Sequence, residues 1–276
     1  EAGGQFAFAA VLPEGYALAE GVSLPQILVT LTPPLANAML MAEGIVESGD
    51  GWTLFDDGKL TVTDKMASDD IPPAIWNAVT SIEVTGDAYL YLWSSFSGGI
   101  TVKAGGSLTN SSNATLSADV TLDGGRLENL GTVTGSVTVK AGGELFSNFT
   151  GKLSCDVTVE TGGSFQNHGT ITGGDFSGQV YNSGTIQKGT FVGTVTNTGT
   201  IADGTFNGQV NHNDGEIKGG TFNGQVVLKG GEITGGTFSA EVQINSSGCT
   251  ITSGNFTGAT VTSSGTIKDG TSPTRR

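Results

Sequence analysis

The chain has 276 residues, a formal net charge of −14 and only 14% charged residues. Because a chain with this negative charge repels nucleic acid and anionic lipid surfaces, we expect neither as a partner. No apolar run reaches the roughly 20 residues of a membrane span, which argues against membrane insertion. The many Gly, Thr, Ser and Asn residues are typical of secreted or cell-surface bacterial proteins, so we expect an extracellular location.

Residues 1–48 form the first predicted segment. They contain apolar stretches such as Gln26 to Thr32, and we expect them to be extended or β. The chain starts at Glu1 without a basic, apolar leader, so we expect a processed or cloned mature segment.

Residues 49–98 are predicted to be a small mixed cap. The segment 52–62 reads as a hairpin with a turn at Asp57-Gly58. Pro72 to Val79 reads as a short helix with proline at its start. Ser81 to Trp93 is predicted to be one strand that leads into the repeats.

The order W-x-L-x-x-D-G-x-L-x-V from Trp52, then Trp76, then S-I-x-V from Ser81, resembles the N-terminal segment of BspA-type surface proteins of gut bacteria. The likeness covers residues 50–93 and implies a cell-surface protein. The leucine-rich repeats that follow in that family are absent here.

Three aromatic residues alternate with apolar ones near the end of the cap. Tyr89, Tyr91 and Trp93 share the polar side of the predicted strand, at ~6.6 Å intervals. Such a row is a platform on which sugar rings stack, which makes these residues the candidate ligand-binding site. The alternative is that residues 1–48 cover them, or that they seal the first coil.

Residues 99–270 repeat a short unit, Asn-x-Gly-[Thr/Glu]-[Ile/Val] followed by Gly-Thr-Phe. The early copies start at Ile100, Val120, Val137 and Val157, and the later ones are trimmed to 15 or 16 residues. A fixed short period indicates one unit stacked on copies of itself. We therefore predict a nearly all-β protein whose main part is a triangular parallel β-solenoid, right- or left-handed, with about ten coils of 15–20 residues.

Each coil is predicted to bury three apolar side chains, one per strand, in a Phe, a Val/Leu and an Ile column. The alignment behind this prediction places Val159 with Phe176 and Phe191, Phe165 with Val180 and Val195, and Ile171 with Ile186 and Ile201. The Phe column continues through Phe206, Phe222, Phe238 and Phe256.

Asparagines recur at one corner, where stacked side-chain amides can bond to each other. The predicted ladder comprises Asn110, Asn129, Asn148, Asn167, Asn182 and Asn197, followed by Asn213 and Asn245. The coils in residues 100–175 also resemble passenger repeats of bacterial autotransporter adhesins, and that resemblance implies an adhesin-like stalk.

A threonine column is predicted on one outer face, as in proteins that order water on ice. The neighbouring column carries mixed charges, which favours the simpler interpretation that Thr is a good exposed strand former. The predicted column comprises Thr101, Thr121, Thr138, Thr158, Thr190, Thr205, Thr221 and Thr237, interrupted at Asp175.

Catalytic and metal chemistry find little support in the sequence. Asp119 and Asp156 share a frame position but lie two coils apart, and no coil places two carboxylates beside an Arg. His168 and His212 are about three coils apart, ~14 Å, too far for one metal ion. We expect no cofactor, no metal and no catalytic residue.

The two cysteines, Cys155 and Cys249, lie about six coils apart, beyond disulfide reach, so two unpaired thiols are expected.

Nothing near Gly270 resembles a terminal cap, and residues 271–276 read as a tail. An open last coil exposes unpaired backbone, so we expect a longer native chain or end-to-end or edge association there.

Together these features predict a non-catalytic, secreted or cell-surface interaction module whose partners are host or bacterial surface glycans or proteins. The alternative is a glycan-binding module that uses Tyr89, Tyr91 and Trp93. The third hypothesis is a polysaccharide-active β-helix enzyme.

Overall fold

The computed structural model describes residues 44–256 and 259–270. The segment before residue 44 and the tail 271–276 lie outside the described residues, so the expectations for them stay predictions. The predicted fold class is confirmed: three ladders of short, mostly parallel strands form a β-solenoid of about 12 turns. The helical elements in this part are a 3-10 turn at Ser68–Asp70 and the helix α1 (Pro73–Trp76), which matches the predicted short helix.

The first sheet begins with an antiparallel hairpin and continues as a parallel ladder. Its thirteen strands, in spatial order, are β1 (Ile45–Gly49), β2 (Trp52–Phe55), β3 (Lys59–Val62), β5 (Ser81–Val84), β7 (Gly99–Lys103), β10 (Val120–Asp123), β13 (Val137–Val139), β16 (Val157–Val159), β19 (Asp175–Ser177), β22 (Thr190–Phe191), β25 (Thr205–Phe206), β28 (Thr221–Phe222) and β31 (Thr237–Phe238).

The second sheet is parallel throughout and carries the candidate site. Its twelve strands are β4 (Lys65–Ala67), β6 (Tyr89–Leu92), β8 (Ser107–Asn110), β11 (Arg126–Asn129), β14 (Glu144–Ser147), β17 (Ser164–Asn167), β20 (Val180–Asn182), β23 (Val195–Asn197), β26 (Val210–His212), β29 (Val226–Leu228), β32 (Val242–Ile244) and β34 (Val261–Ser263).

The third sheet closes the triangle with ten short parallel strands. They are β9 (Thr115–Leu116), β12 (Thr132–Val133), β15 (Lys152–Ser154), β18 (Thr170–Gly173), β21 (Thr185–Ile186), β24 (Thr200–Ile201), β27 (Glu216–Ile217), β30 (Glu232–Ile233), β33 (Thr250–Ile251) and β35 (Thr266–Ile267).

The solenoid ladder starts earlier than the repeat motif does. The hairpin around Asp57-Gly58 is present, and its second strand β3 then pairs in parallel with β5, which pairs with β7. On the second sheet, β4 pairs with β6 and β6 with β8. Residues assigned to the cap therefore build the first turns, which is why the solenoid has about 12 turns and not ten.

The predicted core columns are present and tightly stacked. Neighbouring rings from Phe176 to Phe256 have centroids 4.7–4.9 Å apart and planes within 10° of parallel. This spacing is that of hydrogen-bonded strands, so one ring lies over the next on every coil. The Val and Ile columns are buried beside it, as at Val195 and Ile201.

The predicted frame is wrong at one step of the Phe column. Phe176 pairs with Val157, not with Val159. Ile171 pairs with Ile186 as predicted. Phe165 and Val180 directly precede the paired residues Gln166 and Tyr181, in keeping with the predicted alignment.

The early coils point two aliphatic side chains inward from the first sheet, such as Val137 and Val139, whereas the later coils point one phenylalanine, such as Phe191. A Phe ring is larger than a Val side chain, so one ring takes the place of the two aliphatic side chains. The strand shortens accordingly, from three residues in β13 to two in β22.

The same shift in register between β16 and β19 divides the predicted threonine column in two. Thr158 pairs with Ser177, whereas Thr190 pairs with Asp175. Thr101, Thr121 and Thr138 therefore belong to one outer column, and Thr205, Thr221 and Thr237 to its neighbour. A continuous threonine face, as water ordering requires, is absent from the described coils.

The asparagine ladder is real but interrupted. The Nδ2 atom of Asn110 donates to Oδ1 of Asn129 at 2.8 Å. A second run leads from Asn167 to Asn182 at 2.7 Å and on to Asn197 at 2.6 Å. Ser147 stands between the two runs, since it pairs with Asn129 on one side and Asn167 on the other.

Three predicted members do not belong to this ladder. Asn148 follows the ladder position by one residue and points outward, donating to Glu128 Oε1 at 2.9 Å. Asn213 and Asn245 are likewise one residue late, because His212 and Ile244 occupy the inward position. The prediction aligned the coils on their asparagines, whereas the register of the sheet decides which side chain points inward.

Candidate functional site

The aromatic triplet lies on the outer face of the second sheet. The single strand predicted from Ser81 to Trp93 is wrong: β5 and β6 are separated by a corner at residues 85–88, with Gly86 at φ 65°. Glu83 therefore faces outward from the first sheet, and Tyr89 and Tyr91 from the second. Strict alternation continues across the corner because both strands bury their even-numbered side chains.

The three rings form a compact group. The centroids of Tyr89 and Tyr91 are 6.3 Å apart, and those of Tyr91 and Trp93 are 4.6 Å apart, with interplanar angles of 48° and 45°. Both tyrosines are half-buried, and Trp93 is 52% exposed. The triplet is therefore accessible in part, which is the condition that the glycan-platform hypothesis needs.

The surroundings of the triplet hold its backbone in place. The amide of Trp93 donates to Ser68 Oγ at 3.1 Å, and Ser111 Oγ donates to the Trp93 carbonyl at 3.5 Å. Thr109 stands in register with Tyr91 on the next coil. Its side chain points outward yet is only 2% exposed, and its hydroxyl has no hydrogen-bond partner.

A second aromatic cluster lies farther along the same sheet and was not predicted. Phe146 packs against His168 with ring centroids 5.0 Å apart, and Phe149 approaches the same imidazole edge-on at 5.6 Å. Phe149 is 79% exposed. Tyr181 stands in register with Gln166 on the following coil and is 45% exposed.

Polar contacts fix this cluster from both sides. The Arg126 guanidinium pairs with Glu144 at 2.9 Å and lies 5.0 Å from the centre of the Phe146 ring. His168 Nδ1 shares a hydrogen bond with Ser183 Oγ at 2.7 Å. A shallow groove beside the imidazole is lined by Gln166, His168, Tyr181, Asn182, Ser183, Thr196 and Thr198.

An outward column of residues in the sequence could have indicated this cluster. Once Asn129, Ser147, Asn167 and Asn182 are aligned, the residue before each forms an outward column that includes Phe146, Gln166 and Tyr181. Assigning Asn148 to the ladder shifted that coil by one residue and hid the column.

The carboxylates considered for catalysis serve as acceptors between neighbouring coils. Asp119 Oδ1 accepts from the Ser136 hydroxyl at 2.6 Å and from its amide at 3.2 Å, and these bonds lower the pKa of Asp119. Asp156 Oδ1 accepts from the Asp175 amide at 2.9 Å. Because Asp119 is held ionised, it is poorly suited to be the proton donor that glycoside hydrolysis requires.

The histidines and cysteines are placed apart from one another. His168 points outward, whereas His212 is buried inside the solenoid. Cys155 and Cys249 are buried free thiols, and burial raises the pKa of Cys155 to about 12. Within the described ranges no group of three or more His, Cys, Asp or Glu side chains is placed to hold a metal ion.

Comparison with known proteins gives no family to which the chain can be assigned: no family model, no curated protein and no solved structure matches it. Among residues 44–256 and 259–270, no helix has the length and apolarity that a membrane crossing needs.

Proposed function

We propose that this protein is a non-catalytic, secreted or cell-surface interaction module in which the solenoid is a stalk. The observation that carries the proposal is the continuous parallel pairing of the second sheet, which runs from β4 to β34. At ~4.8 Å per coil, about 12 turns span roughly 55 Å.

Such a stalk holds outward side chains in fixed columns along its length. Backbone hydrogen bonds join each coil to the next, and three apolar columns fill the interior. Each coil contacts only its neighbours, so an extended surface is built without a large globular core. The resemblances to BspA-type and autotransporter-adhesin segments are in keeping with this proposal.

The second candidate function is glycan binding at the triplet. The partial exposure of Trp93 beside Tyr91, with ring centroids 4.6 Å apart, favours it. A flat aromatic face packs on the apolar C–H face of a sugar ring, while a polar rim bonds to its hydroxyls. Ser107 and Lys65, which stand in register with Tyr89, supply such a rim.

A binding assay tests both ideas. Beads coated with the protein are incubated with a panel of immobilised glycans and surface proteins, and reducing-sugar release is followed in the same wells. The proposal expects adhesion without release. Sustained release of reducing ends from any polysaccharide contradicts a non-catalytic module, and a panel without adhesion contradicts an interaction module.

A point variant tests the triplet. Trp93→Ala is expected to weaken glycan adhesion, because it removes the most exposed ring of the group. Val192→Ala is the matched control, since Val192 is 61% exposed and directly follows β22 of the first sheet. Equal adhesion of the two variants would remove the triplet from the proposal.

A further inference from the structure

We propose that Phe149, His168 and Tyr181, with Gln166, form a second subsite for a neutral sugar ring, along the same side of the solenoid as the triplet. The inference extends the proposed glycan binding and rests on it. We call this group the distal cluster.

The distal cluster accounts for an unusual exposure of apolar surface. Five large apolar side chains are strongly exposed in the described part of the chain, and three of them, Trp93, Phe149 and Tyr181, are aromatic residues on or beside the second sheet. Exposed apolar surface gathered in one place marks a binding surface more often than scattered single residues do. The outward columns of this sheet carry Ser107, Thr109 and Gln166, together with the charged Arg126, Glu128 and Glu144.

The imidazole at the centre of the cluster is held in place before any ligand arrives. The imidazole of His168 is set between Phe146 and Phe149 and bonded to Ser183 Oγ at 2.7 Å. The Phe146 ring is fixed in turn by the guanidinium of Arg126. Side chains that are already ordered lose little conformational freedom on binding, so their contacts contribute more fully to affinity.

The chemistry of the groove selects the class of ligand. Its walls present the amide of Gln166 and the hydroxyls of Ser183, Thr196 and Thr198. Ser183 and Thr198 already bond to His168 and to the Asn182 carbonyl, but hydroxyl oxygens keep further capacity to accept and so can pair with sugar hydroxyls. The acidic groups nearby, Glu128 and Glu144, together with the net charge of −14, oppose an acidic glycan.

The spacing of the two groups indicates one extended glycan. From the triplet on β6, the distal cluster begins three coils away at β14 and ends five coils away at β20. At ~4.8 Å per coil these separations are roughly 14 Å and 24 Å. A long chain that engages both subsites gains affinity from the second without new contacts at the first.

Native affinity electrophoresis of the full chain tests the inference. The probes are soluble xylan, mixed-linkage β-glucan and galactomannan, with polygalacturonate as the acidic comparison. The double variant F149A/Y181A is compared with W93A, with the control V192A and with wild type, and thermal melts verify that all four are folded. We expect F149A/Y181A to bind one neutral probe about tenfold more weakly, a loss of about 1.4 kcal/mol.

Each outcome separates the two proposals. Retardation of F149A/Y181A equal to that of wild type, with retardation of W93A lost, overturns the distal subsite and keeps the triplet. The reverse pattern supports the distal subsite and removes the triplet. Retardation by polygalacturonate alone overturns the neutral class of ligand, and a wild-type chain that no probe retards overturns both proposals.

Discussion

Asn197 donates a hydrogen bond from Nδ2 to Nδ1 of His212 at 2.9 Å, inside the solenoid. An amide nitrogen only donates, so the imidazole must accept at Nδ1 and carry its proton on Nε2. Nε2 is buried, and burial lowers the pKa of His212 against the smaller, opposite effects of the Gly215 backbone and the Asp214 charge. His212 is therefore a neutral terminus of the asparagine ladder, since the next coil places Leu228 at that position.

The first prediction concerns the pH dependence of stability. Burial lowers the pKa of His212 below its ordinary value of 6.5. Below pH 6.5 the imidazole is protonated in the unfolded chain but stays neutral in the folded chain. The stability that neutral His212 contributes is therefore fully present above pH 6.5 and is lost as the pH falls. We expect the free energy of unfolding to fall as the pH is lowered from 6.5 towards 5, with a slope of at most about 1.4 kcal/mol per pH unit.

Urea titrations of wild type and His212→Asn across that range measure the effect. The amide introduced by the variant accepts from Asn197 without titrating, so the variant should show a shallower pH slope. Identical slopes for both proteins would show that another group is responsible.

The second prediction concerns the break in the ladder. Ser147 Oγ and Asn167 Oδ1 are both buried without a partner. In Ser147→Asn, the new amide can accept from Asn129 and donate to Asn167, which joins the two runs. We expect a gain of ~1–2 kcal/mol in the free energy of unfolding, measured by urea titration.

The reciprocal variant Asn182→Ser breaks the intact run between Asn167 and Asn197. It should lose stability by a similar or larger amount, because it leaves buried polar groups unpaired. A Ser147→Asn variant less stable than wild type would contradict the proposed geometry.

The third prediction concerns the phenylalanine stack. The Phe206 ring is fully buried and lies between Phe191 and Phe222 at 4.9 and 4.8 Å. Phe206→Ala should cost ~3–5 kcal/mol, through lost burial and the cavity that remains. Val192→Ala, at an exposed site, should stay within ~0.5 kcal/mol of wild type. Similar midpoints of thermal unfolding for the two variants would refute the stacked core.

The fourth prediction concerns a corner glycine. A methyl group at Gly193 would overlap the carbonyl oxygen of Gly178 on the preceding coil, whereas one at Gly173 would meet no atom within 4 Å. Gly193→Ala should therefore lower the unfolding temperature sharply, and Gly173→Ala should leave it nearly unchanged. Two variants that melt together would show that the coils are farther apart at this corner.

The sequence allowed a good prediction of the core, because each buried column repeats one residue type. Phe191, Phe206 and Phe222 recur at nearly equal intervals, and stacking one coil on the next buries all of them. The error arose where the residue type changes, because Val157 and Phe176 occupy the same inward column but are different amino acids. The triplet was identified by alternation, but its sheet was not, because the corner between β5 and β6 preserves that alternation.

The sequence by itself determined the fold class and the chemistry of the columns, since apolar residues and corner glycines that recur at a short fixed period indicate stacked coils. Only the tertiary structure decided the register between coils of unequal length. That register depends on side-chain volume and on backbone pairing between residues far apart in sequence. It excluded Asn148 from the ladder, placed His212 within it, and brought Phe149, His168 and Tyr181 from three coils into one cluster.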